Sequence, residues 1–180
     1  MSDWQESAGR IGARRRQPGI IPRPMAHTFE TERRVEFAET DMAGIVHFAN
    51  FFRWMETAEH DFFRSLGLSL HSHGTDGMRG FARGHAECTY ERPLAYQDVV
   101  AIRLVVRAKT RSSLAYDFTF SKGGEVCARG AMKVVCVARA DGAGGAGNGG
   151  RRMRAVPIPA DIAAAIEVAP TESRETAQGG

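Results

Sequence analysis

The chain has no long apolar run. Its apolar stretches are strand-length and broken by charge, and none approaches the roughly 20 residues that a membrane helix requires. No membrane span is expected, and residence in the cytoplasm is the default reading. Cysteine is scarce, with three in 180 residues. Cys88, Cys127 and Cys136 lie in apolar, strand-like segments with neither CxxC spacing nor a nearby His pair, so they read as small core residues rather than catalytic thiols. His60, His71, His73 and His85 lack convergent carboxylate or Cys spacing, so no metal site is expected. Arg10, Arg14, Arg15 and Arg16 are followed by no apolar segment, which argues against a secretory signal. The formal charge of +3 is carried largely by the first 34 residues and by Arg151, Arg152 and Arg154. Without interleaved aromatics these arginines read as solvated tails, and no nucleic-acid partner is expected.

What is present suffices for one domain: 180 residues, 43% of them hydrophobic. Residues 1–26 mix arginine with Gly and Pro and are expected to be disordered. The domain is expected to span 27–140. In 28–38 Phe29, Thr31, Arg33, Val35 and Phe37 alternate with polar residues, as in a half-buried strand. In 49–66 the period changes: Phe51, Met55, Ala58, Phe62 and Leu66 recur at three-to-four spacing, with Glu56, Glu59 and His60 on other faces. Phe52, Trp54 and Phe63 widen that stripe, so the helix is expected to be embraced by a sheet. Gly67 stops it, and 67–80 reads as a loop. Four strands are expected at 81–91, 98–109, 113–122 and 125–138, the last two joined by Gly123-Gly124. A Gly/Ala linker at 141–153, a short helix within 154–168 and a polar tail at 169–180 complete the chain. Strand, helix, then four antiparallel strands is an α+β pattern. One sheet over one helix leaves an open edge, so a homodimer at minimum is expected, or a homotetramer.

From Glu39 the chain reads ETDMAGIVHFANFF, with Asp41 in a polar turn just before the helix. A carboxylate there faces unpaired backbone N–H groups and the positive end of the helix dipole, which brings a charge donor and an oxyanion stabiliser together. On residue statistics alone Asp41 is equally readable as an acid that ends the first strand. The whole run of 37–51 resembles the signature of hotdog-fold acyl-CoA thioesterases of the 4-hydroxybenzoyl-CoA thioesterase group: T-D-x-x-G-I/V-V, then an aromatic, a small residue and Asn or Ser. The later strand order and the Glu91-Arg92-Pro93-Leu94 turn before Asp98 fit as well.

The resemblance implies a hotdog fold: an antiparallel five-stranded sheet wrapped around one long central helix. It also implies hydrolysis of an acyl-CoA, or of an acyl carrier protein thioester, to a free acid. Asp41 would be nucleophile or general base, the Phe48 backbone N–H the oxyanion donor, and Gly44 the point where the chain passes close to substrate. Coenzyme A is then part of the substrate and no cofactor is needed. His47 departs from part of the family and stands as either an auxiliary for water and thiolate or a pocket-lining ring. Glu56 is the competing acid, because a second hotdog group uses a helix carboxylate; its other reading is a support for the catalytic loop or an ion pair with Arg53 or His60. Phe51 and Phe81 are candidate walls of the acyl pocket, with 78–84 running beside the thioester. Arg107, Lys109, Arg111, Ser112 and Ser113 are candidates for the CoA phosphates. Two other functions compete. A hotdog enoyl-CoA hydratase places Asp and His five apart in D-x-N-P-x-H, whereas Asp41 and His47 are six apart without the Asn-Pro pair. A non-catalytic acyl-CoA-binding protein would lack the acid.

Overall fold

The computed structural model describes residues 26–74, 77–139 and 153–171. Residues 1–25 of the segment expected to be disordered, and most of the expected linker and polar tail, lie outside those residues. Among the described residues no helix is long and apolar enough to cross a membrane. Strands β1 (Thr28–Arg34), β2 (Ser72–Gly74), β3 (Gly77–Tyr90), β4 (Val99–Lys109), β5 (Ser113–Lys122), β6 (Glu125–Arg139) and β7 (Met153–Ala155) form one antiparallel sheet. Its order is β1-β4-β5-β6-β3-β2, with β7 also on β6. The five long strands are those expected from sequence, and β2 and β7 add three residues each.

Helix α1 (Ala49–Ser65) lies against the concave face. Phe51, Trp54, Met55, Ala58, Phe62 and Phe63 are buried on it, against Ile102 and Leu104 of β4, Tyr116, Phe118 and Phe120 of β5, and Ala128, Met132 and Val134 of β6. The sheet residues of this set are even-numbered because successive strand side chains alternate faces. Gly130 continues that face of β6 and has no side chain for a reason: a Cβ there would stand 2.5 Å from Met55 Sδ. The helix stops as expected. Gly67 takes φ 62°, and Leu68 N donates to Phe63 O at 2.9 Å across the left-handed turn.

Three expectations need correction. The first strand ends at Arg34, not at 38, because Glu36 and Glu39 cap a short 3-10 helix, Phe37–Glu39, that rolls the chain out of the sheet. Phe37 is therefore 75% exposed, edge-on to Tyr96 with ring centres 5.8 Å apart. The loop expected at 67–80 contains a hairpin, β2 on β3, built by backbone pairing that a Gly- and His-rich sequence conceals. The first residue of the expected polar tail is docked rather than solvated: Ala169 is buried and its N–H donates to Val106 O at 2.9 Å, whereas Pro170 and Thr171 are exposed.

Helix α2 (Ala160–Ala165) falls within the expected 154–168 and closes one end of the core with Ile158, Ile162 and Ile166. There the two ends of the domain meet: Ala26 N donates to Ala165 O at 3.0 Å and Glu167 N to Ala26 O at 3.1 Å.

Candidate active site

The segment between β1 and α1 is organised by a residue the sequence reading passed over, Glu39. Its Oε1 accepts Trp54 Nε1 at 2.8 Å and is ion-paired to Arg33, while Oε2 accepts the Glu36 N–H at 2.9 Å. Its carbonyl accepts the His47 N–H at 2.9 Å and Asn50 Nδ2 at 2.7 Å. The Arg33 guanidinium also lies over the Trp54 ring, 4.7 Å from its centre. One acid thus ties strand, loop and helix together, and Glu36 three residues before it is the only trace of this in sequence.

Held at both ends, 40–46 forms a small hairpin. Thr40 bridges Val46, Gly44 N donates to Asp41 O at 2.9 Å, and Gly44 sits at φ +76°. The glycine is thus required by the turn's left-handed conformation; it does not line the cleft described below. Asp41 Oδ1 accepts the Ala43 N–H at 2.8 Å, and Oδ2 has no partner among the described residues. The 91–98 loop braces the hairpin through Val46 N to Leu94 O at 2.8 Å and a bridge between Ile45 and Ala95.

These elements bound a cleft of about 420 Å³ lined by Asp41, Ile45, Val46, Phe48, Phe51, Tyr90, Glu91, Arg92, Pro93 and Leu94. Asp41 and Phe48, proposed from sequence as acid and oxyanion donor, share this one cavity, and Phe51 forms part of its wall. Phe48 precedes the first turn of α1, and its N–H has no acceptor among the described residues. The carbonyl of the same peptide, His47 O, accepts Asn50 N at 2.9 Å, which fixes the orientation of that free N–H. Tyr90 was also missed: its hydroxyl donates to Phe48 O at 3.2 Å and its ring packs on Phe51 with centres 5.1 Å apart. Burial, then Cys88, push the phenol up to about 12, so it stays protonated as a donor.

Other sequence candidates are brought elsewhere. His47 Nδ1 accepts the Ala49 N–H at 3.3 Å and its ring leans on Phe48, so it caps the helix start and does not line the cleft. Glu56 pairs with Arg83 at 3.0 Å, not with Arg53 or His60, and Glu39 fills the loop-supporting role considered for it. The surprise on that face is Glu59, expected on an outer face but wholly buried, 2.8 Å from Arg83 and beside Tyr116. Burial pushes its carboxyl up to about 7, against the opposing pull of Arg83. Phe81 packs edge-on against Phe63 and lines a separate hollow with His71 and Met78, so 78–84 does not reach the Asp41 cleft within one chain.

The proposed phosphate turn does not line the Asp41 cleft within one chain either. Lys109 Nζ donates to the carbonyls of Ala163, at 2.8 Å, and Ile166, closing α2. Ser113 is buried and bonded to Thr110 Oγ1 at 2.7 Å, Ser112 O accepts Cys136 N, and Arg111 O accepts Ile158 N. Arg107 pairs with Asp117 at 3.1 Å. Their spacing suggested a basic hairpin tip, but the C-terminal segment crosses there. Cys127 and Cys136 are buried, Cys88 is half-buried, and all three are unpaired thiols. Burial pushes Cys88 up to about 11, which leaves no thiolate near neutrality. Among the described residues no group of three or more His, Cys, Asp or Glu could hold a metal ion.

Comparison with known proteins decides the family. A model described as the thioesterase-like superfamily matches residues 35–166, which includes the cleft, α1 and every strand of the sheet except β1. The chain belongs to the thioesterase-like superfamily. It is 30% identical over 143 residues to 4-hydroxybenzoyl-CoA thioesterase of Pseudomonas sp. strain CBS-3, an alignment covering 76% of this chain and 96% of that one. Among solved structures it is similar to a gentisyl-coenzyme A thioesterase, with 32% identity, TM-score 0.64, and 77% and 100% of the two chains covered. It is also similar to a 1,4-dihydroxy-2-naphthoyl-CoA thioesterase from Synechocystis, with 26% identity, TM-score 0.66, and 77% and 95% covered. The fold of this thioesterase-family chain is the hotdog fold, and its enzyme class is thioester hydrolase.

Proposed function

We propose that the chain hydrolyses an acyl-CoA thioester in the Asp41 cleft, with Asp41 as the reacting carboxylate and the Phe48 N–H as the oxyanion donor. The carrying observation is that a carboxylate with an uncommitted oxygen and a backbone N–H with no acceptor line the same cavity at the head of a helix. A thioester carbonyl held against that N–H is polarised as its oxygen gains charge, and the helix dipole favours the same charge. Two routes use the same acid. Asp41 either attacks the carbonyl carbon, giving an acyl-aspartyl anhydride that water then cleaves, or takes a proton from the water that attacks directly. In both the C–S bond breaks, CoA departs as thiolate and is protonated, and a free carboxylic acid remains.

The acyl group we assign is aromatic. Phe48, Phe51 and Tyr90 supply ring faces and edges, and Ile45, Val46, Pro93 and Leu94 complete a largely apolar wall. The similar proteins named for hydroxybenzoyl, gentisyl and dihydroxynaphthoyl thioesters support that assignment. We also propose a homodimer through β3. Its residues 80–90 pair with β6 on one side and have no strand partner on the other among the described residues.

The test is CoA release followed with a thiol-reactive dye over a panel of aryl- and alkyl-CoA esters. Asp41→Asn is expected to lower kcat by roughly a hundredfold or more, with aryl esters turned over fastest by the wild type. Equal activity of Asp41→Asn and wild type would overturn the assignment. Loss of activity in Glu56→Gln instead would move the chemistry to the helix carboxylate.

A further inference from the structure

We propose that Tyr90 is a positioning residue for the oxyanion donor: its hydroxyl clamps the Phe48 carbonyl and thereby holds the Phe48 N–H toward the cleft. The proposal rests on the function proposed above, in which the Tyr90 ring is a wall of the acyl pocket and its hydroxyl has no part. The backbone around the donor is gripped on both sides. Upstream, His47 N is tied to Glu39 O at 2.9 Å and His47 O to Asn50 N at 2.9 Å. Downstream, Phe48 O accepts Phe51 N at 3.3 Å and the Tyr90 hydroxyl at 3.2 Å. Between these anchors only the φ and ψ of Phe48 remain, and they sit at −51° and −34°, within the helical well.

The tyrosine bond is not needed to satisfy the carbonyl, which already has a helical donor, and Tyr90 itself is 44% exposed, so its hydroxyl has water as an alternative. A bond of that kind adds little to folding stability. What it does add is orientation across elements. Tyr90 is the last residue of β3, Phe48 precedes the first turn of α1, and the bond locks strand to helix at the mouth of the cleft that both residues line. The ring is anchored separately, edge-on to Phe51, which itself packs on Trp54 and Phe120. Side chains locked by packing in this way are what hold a donor to the small tolerance that transition-state stabilisation demands.

Tyr90→Phe keeps the ring and deletes the hydroxyl. It is expected to lower kcat about tenfold, less than outright loss of an oxyanion donor, with KM changed by no more than roughly twofold and the melting temperature by a few degrees at most. The 15N order parameter of the Phe48 amide is expected to fall in the same variant, a readout independent of turnover. An unchanged kcat together with an unchanged order parameter overturns the proposal. So does a rise in KM with no change at the Phe48 amide, which would make the Tyr90 hydroxyl a substrate contact instead of a clamp. A wild type inert toward every acyl-CoA would sink the hydrolase reading alone, and the order parameter would still decide the clamp.

Discussion

Glu59 carries the sharpest conflict at the residue scale, because burial opposes its charge while Arg83 favours it. With a folded pKa near 7 and an ordinary value of 4.5, the folded protein holds a proton that the unfolded chain releases between those values. Stability is then full below about pH 4.5 and falls as pH rises to about 7, by about 3 kcal/mol. Glu59→Gln is expected to flatten that slope, so that urea midpoints at pH 5 and pH 8 differ less in the variant than in the wild type. An equal difference in both would place the pH dependence elsewhere. Glu59 also marks a limit of sequence reading. Its spacing from Met55 and Phe62 puts it beside the apolar stripe, yet a charged residue is assigned to solvent unless its partner is known. That partner, Arg83, is 24 positions away on another element. Glu39 was hidden for a similar reason: of its contacts only the nearby Glu36 is implied by spacing, whereas Trp54 and Asn50 come from the far side of the loop. That Asp41 and Phe48 line one cleft could be anticipated because both sit just before the same helix, seven positions apart.

Among the elements, α1 and β6 approach closely at Gly130. Gly130 allows Met55 to lie against the strand, and Gly130→Ala is expected to cost about 1–3 kcal/mol through overpacking. Shortening Met55 to Ala in the same background should recover part of that loss, which a double-mutant cycle by chemical denaturation would measure as coupling. Additive losses would mean that the helix had shifted instead. The strands and helix could be read from periods of two and of three to four because the sheet covers the helix with one face. The basic turn at 107–113 could not. Lysine at a hairpin tip looks the same in sequence whether it is free or, as with Lys109, committed to the carbonyl end of a later helix. The 67–80 hairpin was hidden because backbone pairing leaves no mark on side-chain pattern.

For the whole molecule the edge of β3 that is unpaired among the described residues sets the expectation. A stable pair of 19.6 kDa chains should appear in light scattering at micromolar concentration. Ala86 is exposed in the single chain and lines a hollow with Phe52, Met55, Arg83 and Met132 beside that edge. Ala86→Asp should therefore leave the monomer folded and shift the mass toward a single chain, since a paired edge would bury the new charge. A wild type that scatters as a monomer would remove the edge-pairing model.

The meeting of Ala26 with Ala165 and Glu167 has a topological consequence. The two ends of the domain already lie side by side, so the order in which its elements are strung together is not a demand of the architecture. A permuted chain, joined across that corner by a short linker and reopened at the Gly123-Gly124 turn between β5 and β6, would keep every strand pairing and the whole of the Asp41 cleft.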